Sequence, residues 1–478
     1  MICKGFLHAR LVMTGFCLVS LPDTASEVDQ PGTRSRWTLD EDQESHPPSR
    51  NLHAIVNASG KATTYADNVP LDGYLDIQSA FFQGFGTNDR ACFSCHAPRG
   101  GWSITPGLAQ SLFESTQGED SMFRTNDGTT SPTADVSTLD AKRKAYALLL
   151  SKGLIRVGLA MPDNAEFTLT AVDDPYLYAS AKQLSLFRRP LPSINLKFLS
   201  DVMWDGRQTI HAGQLQTELE NQADDATRTH AAAPQGLAAA KRAEIVNFER
   251  AIFVAQTSDD RAGALNERGA LGGPQVLATQ GFYFGQNDLA GHDPTGRPFD
   301  PIVFKLFKTW RSSPASDPMV TARKAVAHGE RIFNEKKFWV AGVKGFNDLL
   351  GSPIVIATCS SCHNVANAGS NSSALRMDLG LASESRRTPD LPLYTFRNKQ
   401  TGQTIKVSDP GRGLISGRWS EIGCFKVPTL RGLAARAPYF HDGSAATIKE
   451  AIAYLNGRFS IGFTPAEEND LDAFLRAL

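Results

Sequence analysis

The sequence predicts an all-α protein with long irregular loops. Three observations predict it: apolar residues recur at helical spacing in several stretches, runs with strand alternation are few, and 40 Gly and 26 Pro gather between the helical stretches. Taken in order, Lys4, His8 and Arg10 precede an apolar run from Leu11 to Leu21 and small residues at Ala25 and Ser26. This is the pattern of a secretory signal peptide over 1–25. Residues 26–60 carry Pro31, Gly32, Pro47 and Pro48 among mixed charges at their start, and read as a flexible leader. Ala141 to Leu150 is a short helix former, and Lys241 to Gln256 places Ile245, Phe248, Ile252 and Phe253 on one helical face. Thr447-Ile-Lys-Glu450 is a capping box opening a helix with Ile448, Ile452 and Leu455 on one stripe. Thr464-Pro465-Ala466-Glu467 opens a last helix bearing Leu471, Phe474, Leu475 and Leu478. Loops fill 261–301 and 385–418.

Composition narrows the class. With 49 basic and 50 acidic residues the formal charge is −1, which argues against a nucleic-acid surface. The 27 Phe and 6 Trp exclude wholesale disorder. Beyond the N-terminus no apolar run approaches the ~18 residues that would span a bilayer.

The cysteines carry the chemistry. Cys92-Phe-Ser-Cys95-His96 and Cys359-Ser-Ser-Cys362-His363 are two CxxCH motifs. Cysteines three apart, each pair followed by His, make a poor disulfide staple and are too few for two zinc sites. CxxCH is the signature of covalent c-type haem attachment, with the histidine fixed as the proximal iron ligand. Two haems c are therefore expected, on His96 and His363. Such attachment occurs outside the cytoplasm, in agreement with export to the periplasm. Cys424 reads as a small buried apolar residue. One motif falls in each half, so the expected organisation is an N-terminal haem domain (61–258), a connecting segment (259–325) and a C-terminal haem domain (326–478), the haems facing across the interface.

Further motifs carry a resemblance. Met203-Trp204-Asp205-Gly206-Arg207 resembles the tryptophan motif between the haems of bacterial dihaem cytochrome c peroxidases. Phe425-Lys-Val-Pro-Thr-Leu-Arg431 and Pro438-Tyr-Phe-His-Asp-Gly443 resemble that family's C-terminal signature, in the same order along the chain. The family includes the dihaem enzyme that matures methylamine dehydrogenase by oxidising its tryptophans. The resemblance implies a periplasmic peroxidase that reduces hydrogen peroxide to water with electrons from a small redox protein, a cytochrome c or a cupredoxin. It places the peroxidatic site at the N-terminal haem and electron transfer at the C-terminal one, with Trp204 between them as a relay. Two alternatives stand beside it: a peroxide-dependent oxidase acting on a partner protein or organic substrate, and a plain electron carrier.

The departures from the family pattern matter as much. Many relatives close the N-terminal iron with a distal histidine between the first CxxCH and the tryptophan motif; here no His lies between His96 and His211. A five-coordinate N-terminal haem is the expectation. The family's acid/base glutamate corresponds to Asp224, with Glu218, Glu220 and Asp225 as neighbours and His230 as a second candidate. The position of the C-terminal haem's sixth ligand is Leu455, which cannot bind iron. Tyr454 is one residue away, Met377 is a further candidate, and a vacant site is the remaining reading. Relatives also hold calcium between domains through an Asn, whose position is Arg189 here. That puts calcium in doubt, although Arg436 and Pro438 could still offer carbonyls. His441 and Asp442 are expected to brace the C-terminal haem; His211, His292 and His328 have no motif around them.

Overall fold

A computed structural model describes residues 50–312, 314 and 317–478. The signal peptide and the leader up to residue 49 lie outside the described residues. The expectation of an all-α chain is corrected by 32% helix against 17% strand, the strands forming several small antiparallel sheets. The first sheet runs in the order His53–Asn57, Gly60–Ala66, Ile252–Asp259, Gly263–Ala264, so paired strand begins inside the segment read as leader. The helix expected over Lys241 to Gln256 stops at Ala251, and Ile252–Asp259 is a strand instead. Its residues Ile252 to Ala255 are buried without alternation, and such a run cannot be told from buried helix by periodicity. The stretch 385–418 likewise holds a hairpin, Leu393–Asn398 with Thr404–Val407. Tyr394 and Phe396 point inward from it at strand spacing.

That hairpin pairs with Phe167–Asp173, so one three-stranded sheet joins sequence from both halves. Leu139–Ala145 and Ala147–Lys152 take the place of a single helix from Ala141, separated at Tyr146. The two C-terminal helices form as read. Thr447 caps Ile448–Phe459 by accepting from Glu450 N, and Thr464 and Glu467 cap Pro465–Arg476 reciprocally. Pro465–Arg476 packs on Pro318–Glu335, whose Asp317 side chain caps Val320 N. Between them Phe304, Phe307, Phe333 and Phe474 form one aromatic core.

Glu330 sits in this core with no exposed surface, its carboxylate accepting from Leu306 N (2.6 Å) and Phe307 N (2.8 Å). Burial pushes its pKa up to about 7, against the pull of those donors and of Arg311. The folded chain thus keeps a proton that the unfolded chain loses near the ordinary glutamate value. The stability this adds is present at low pH and lost as pH rises through about 7. Glu330→Gln should flatten the fall of unfolding free energy between about pH 4.5 and 7, read by urea denaturation. An unchanged slope would mean another group carries it.

Candidate functional site

Each CxxCH motif forms a short helical turn, Cys92–Ser94 and Cys359–Cys362, which sets both cysteines and the histidine on one side of a compact loop. His96 Nδ1 donates to Trp102 O (3.0 Å) and His363 Nδ1 to Gly369 O (2.5 Å). Each ring is thereby fixed in the tautomer that leaves Nε2 as the lone-pair donor a metal requires. Burial pushes both imidazoles down to about 4, so both are neutral, as ligation demands. The walls are apolar. Cys92 packs with Phe81, Phe82, Phe93, Trp102 and Phe248, and Cys362 with Val343, Phe346, Leu375 and Met377. His441, wholly buried, has no partner at either ring nitrogen. Neutral histidines, free thiols and unpartnered polar atoms within apolar walls suit a porphyrin that supplies what the chain lacks.

One segment, residues 425–441, touches both motif loops. Leu430 N donates to Ala368 O (3.3 Å), beside the carbonyl that holds His363. Arg436 lies against Gly101, next to the carbonyl that holds His96; a Cβ at Gly101 would meet its side chain. Trp204 joins the same segment: its carbonyl accepts from Lys426 N (2.9 Å) and its indole donates to Arg189 O (2.8 Å). The indole stands edge-on to His441 at 6.4 Å, and His441 stacks on Phe425 at 4.0 Å. Gly206 turns this loop with φ +65°, where any side chain would collide with the Arg376 guanidinium. Beneath it, Arg188 pairs with Asp205 (2.5 Å) and with both oxygens of Asp409 (2.6 and 2.9 Å), all three buried.

The acid/base candidates separate. Asp224 is engaged locally, accepting from Arg228 Nε (2.9 Å) and Leu237 N (2.6 Å). His230, the C-cap of helix Leu215–Thr229, donates through Nδ1 to Asp127 Oδ2 at 2.5 Å, and Asp127 is itself paired with buried Arg90. Burial works against the Asp127 carboxylate, but Arg90 and His230 outweigh it, and its pKa lies below the usual value. This group adjoins the first motif: Arg90, two residues before Cys92, also donates to Ser121 O (2.8 Å), and the Ser121 hydroxyl meets that of Ser94 at 2.8 Å. Neither Arg90 nor Asp127 stood in any motif. Glu249 was also missed: it is buried, near Cys92, pushed up to about 7 by burial, and has an unpartnered Oε2. Burial of a glutamate within a helix leaves no mark in sequence.

At the second motif, the Tyr454 hydroxyl donates to Leu379 O (2.6 Å), with Arg386 over its ring at 4.1 Å. To bind iron it would have to leave that carbonyl. Met377 is buried in the same cluster as Cys362. His328 is paired with Asp470 and His292 with Asp288.

A scan against protein-family models finds no match. Curated relatives match in part. Cytochrome c551 peroxidase of Nitrosomonas europaea is 40% identical over 70 residues, 14% of this chain and 21% of the relative. Cytochrome c551 peroxidase of Pseudomonas aeruginosa is 28% identical over 138 residues, 29% of this chain and 32% of the relative. The chain is a distant homologue of the bacterial cytochrome c peroxidases. The matched stretches span between 21% and 37% of the length of these relatives, the last being cytochrome-c peroxidase IdrP1 of Denitromonas iodatirespirans at 31% identity. The crystal structure of a MauG-like protein associated with microbial copper homeostasis aligns over 92% of this chain and 95% of that one, at 14% identity and a TM-score of 0.35. The peroxidase homology implies haem, and both cysteine pairs are consistent with haem c. Among the described residues no helix is long and apolar enough to cross a membrane.

The calcium position has its own outcome. The Arg189 guanidinium donates to Ile104 O (2.8 Å), Arg436 O (3.0 Å) and Lys152 O (3.1 Å). A side-chain cation thus already occupies the Arg436 carbonyl. EGTA should leave the thermal midpoint of the holoprotein unchanged, whereas Arg189→Gln should cost about 1.5–3 kcal/mol from its charged hydrogen bonds. Both are read by calorimetry.

Proposed function

We propose that the chain is a periplasmic dihaem oxidoreductase that reduces hydrogen peroxide to two waters, consuming two electrons and two protons. One haem c would be held by Cys92, Cys95 and His96 in the N-terminal half (61–258) and another by Cys359, Cys362 and His363 in the C-terminal half (326–478), with 259–325 connecting them. The observation that carries this reading is the pair of motif histidines, each locked by a backbone carbonyl and joined through one segment that also holds Trp204. When bound, the irons supply the peroxide-binding and electron-storing chemistry.

The chain supplies the rest. His230 is the acid/base: its Nδ1 is tied to Asp127, which leaves Nε2 to take and return the proton of the entering peroxide. Asp224 is set aside as a catalytic group, because both of its oxygens cap local structure. Trp204 with His441 and Phe425 forms a continuous aromatic line for charge passing from the C-terminal half. Tyr454, whose hydroxyl is engaged by Leu379 O, and Met377, in the cluster around Cys362, are the side chains that would remain as candidates to complete the second iron's coordination. The electron source is a small redox protein, a cytochrome c or a cupredoxin.

Steady-state assay with peroxide and reduced cytochrome c tests this reading, and turnover with consumption of both is expected. The resting ferric protein should show one five-coordinate haem in its EPR spectrum. Two low-spin haems, neither perturbed on mixing with peroxide, would overturn the proposal. The lack of a His between His96 and His211 and of a Met at Leu455 favours a second reading, a peroxide-dependent oxidase of a protein or organic partner. A long-lived oxidised state formed without donor would select it.

A further inference from the structure

Three buried cations among the described residues have acidic partners: Arg90 has Asp127, Arg188 has Asp205 and Asp409, and Arg323 has Glu267. Three arginines on the seam between the motifs do not. Arg431 is 1% exposed, and its Nε and Nη1 have no hydrogen-bond partner; Nη2 reaches only Gly273 O, at 3.4 Å. Arg436, also buried, donates to the carbonyls of Thr429, Arg431 and Gly432. Arg189 donates to the three carbonyls given above. Burial lowers the pKa of Arg431 to about 9 with no carboxylate acting on it, and that of Arg436 to about 10. Leaving a guanidinium buried without an anion costs several kcal/mol, far more than neutral carbonyls return.

The segment that carries Arg431 and Arg436 adjoins both motif loops. Arg431 follows Leu430, which packs on Gly369, the carbonyl partner of His363. Arg436 lies against Gly101, beside the carbonyl partner of His96. We propose that Arg431, with Arg189 and Arg436 adding charge behind it, is the receptor for porphyrin carboxylates, its free Nε and Nη1 offering donors on two edges of the guanidinium plane. This assignment rests on the dihaem reading. Its chemistry is that of arginine toward an anion: several donors in one plane, permanent charge and rigid geometry.

The test is spectroelectrochemical titration of the wild-type holoprotein and of Arg431→Gln. Removing a positive charge beside a haem favours its ferric form. At the wild-type midpoint, the reduced-to-oxidised ratio of one haem should fall about tenfold, which is about 59 mV for a one-electron couple. Arg431→Lys, which keeps the charge but not the planar donors, should recover most of that shift. Should Arg431→Gln not accumulate, resonance Raman of Arg431→Lys against wild type reads the porphyrin carboxylate bending band directly, and a displaced band is expected. Unmoved midpoints, or an unmoved band, in a protein that carries two haems overturn the arginine assignment alone. A wild-type chain that carries no covalent haem overturns the underlying reading.

Discussion

Asp127→Asn will slow peroxide cleavage by roughly 10²–10⁴-fold while leaving haem content and the resting spectra nearly unchanged. The carboxylate touches neither the motif cysteines nor His96. Its effect on turnover passes through His230, to which it is bonded at 2.5 Å, while the loss of its pair with buried Arg90 lowers stability. With asparagine there the ring loses the partner that fixes its tautomer, and Nε2 is no longer reliably the proton acceptor. Asp127 is therefore a positioning residue, and its signature is a changed pH profile of turnover as well as a lower rate. His230→Gln should give the same loss, and the double variant no more than either single one, because the two act as a unit. Asp224→Asn supplies the contrast and should retain the wild-type rate. If Asp224→Asn is the slow variant and Asp127→Asn is not, the acid/base assignment is wrong.

The largest stability effect is expected at Arg188. Arg188→Met leaves Asp205 and Asp409 facing each other in a buried site, and removing one member of such a set costs about 3–5 kcal/mol. Burial pushes the Asp205 carboxyl up and the Arg188 charge holds it down at about 2; without that charge the site must either bury facing carboxylates or take up a proton, and both cost stability at neutral pH. The expected reading is a lower urea midpoint at unchanged slope, together with weaker order at Trp204, which precedes Asp205. Neutralising all three (Arg188→Met with Asp205→Asn and Asp409→Asn) should restore most of the loss, since it removes the unpaired charges. A single variant as stable as wild type would show that water reaches the site.

What was legible in the chain was what is encoded within a few residues. The CxxCH turns, the tryptophan loop with its glycine, and the caps at Thr447 and Thr464 each depend on neighbours three or four positions away. The hidden features depend on distant partners. Ile252–Asp259 becomes strand because Gly60–Ala66 pairs with it, and nothing in its own apolar run reports that partner. The His230–Asp127 contact joins residues 103 apart, and Arg188 meets Asp409 across 221. No spacing rule reaches so far. The fold class failed for the same reason, since the strands are short and their pairing is nonlocal. The Tyr454 register was open in the sequence; side-chain packing turned its hydroxyl to Leu379 O, which a helical wheel cannot reveal.

The sheet that pairs Phe167–Asp173 with Leu393–Asn398 has a consequence for how this molecule can be taken apart. A gene cut after residue 258 would yield two polypeptides, each with its own CxxCH motif. The upstream product would lack the neighbour of its edge strand and the stretch that abuts Gly101; the downstream product would expose Tyr394 and Phe396 to solvent on the side they now share with Phe167. Neither fragment would keep the native packing. Co-expressed, they should find one another and behave as a noncovalent heterodimer.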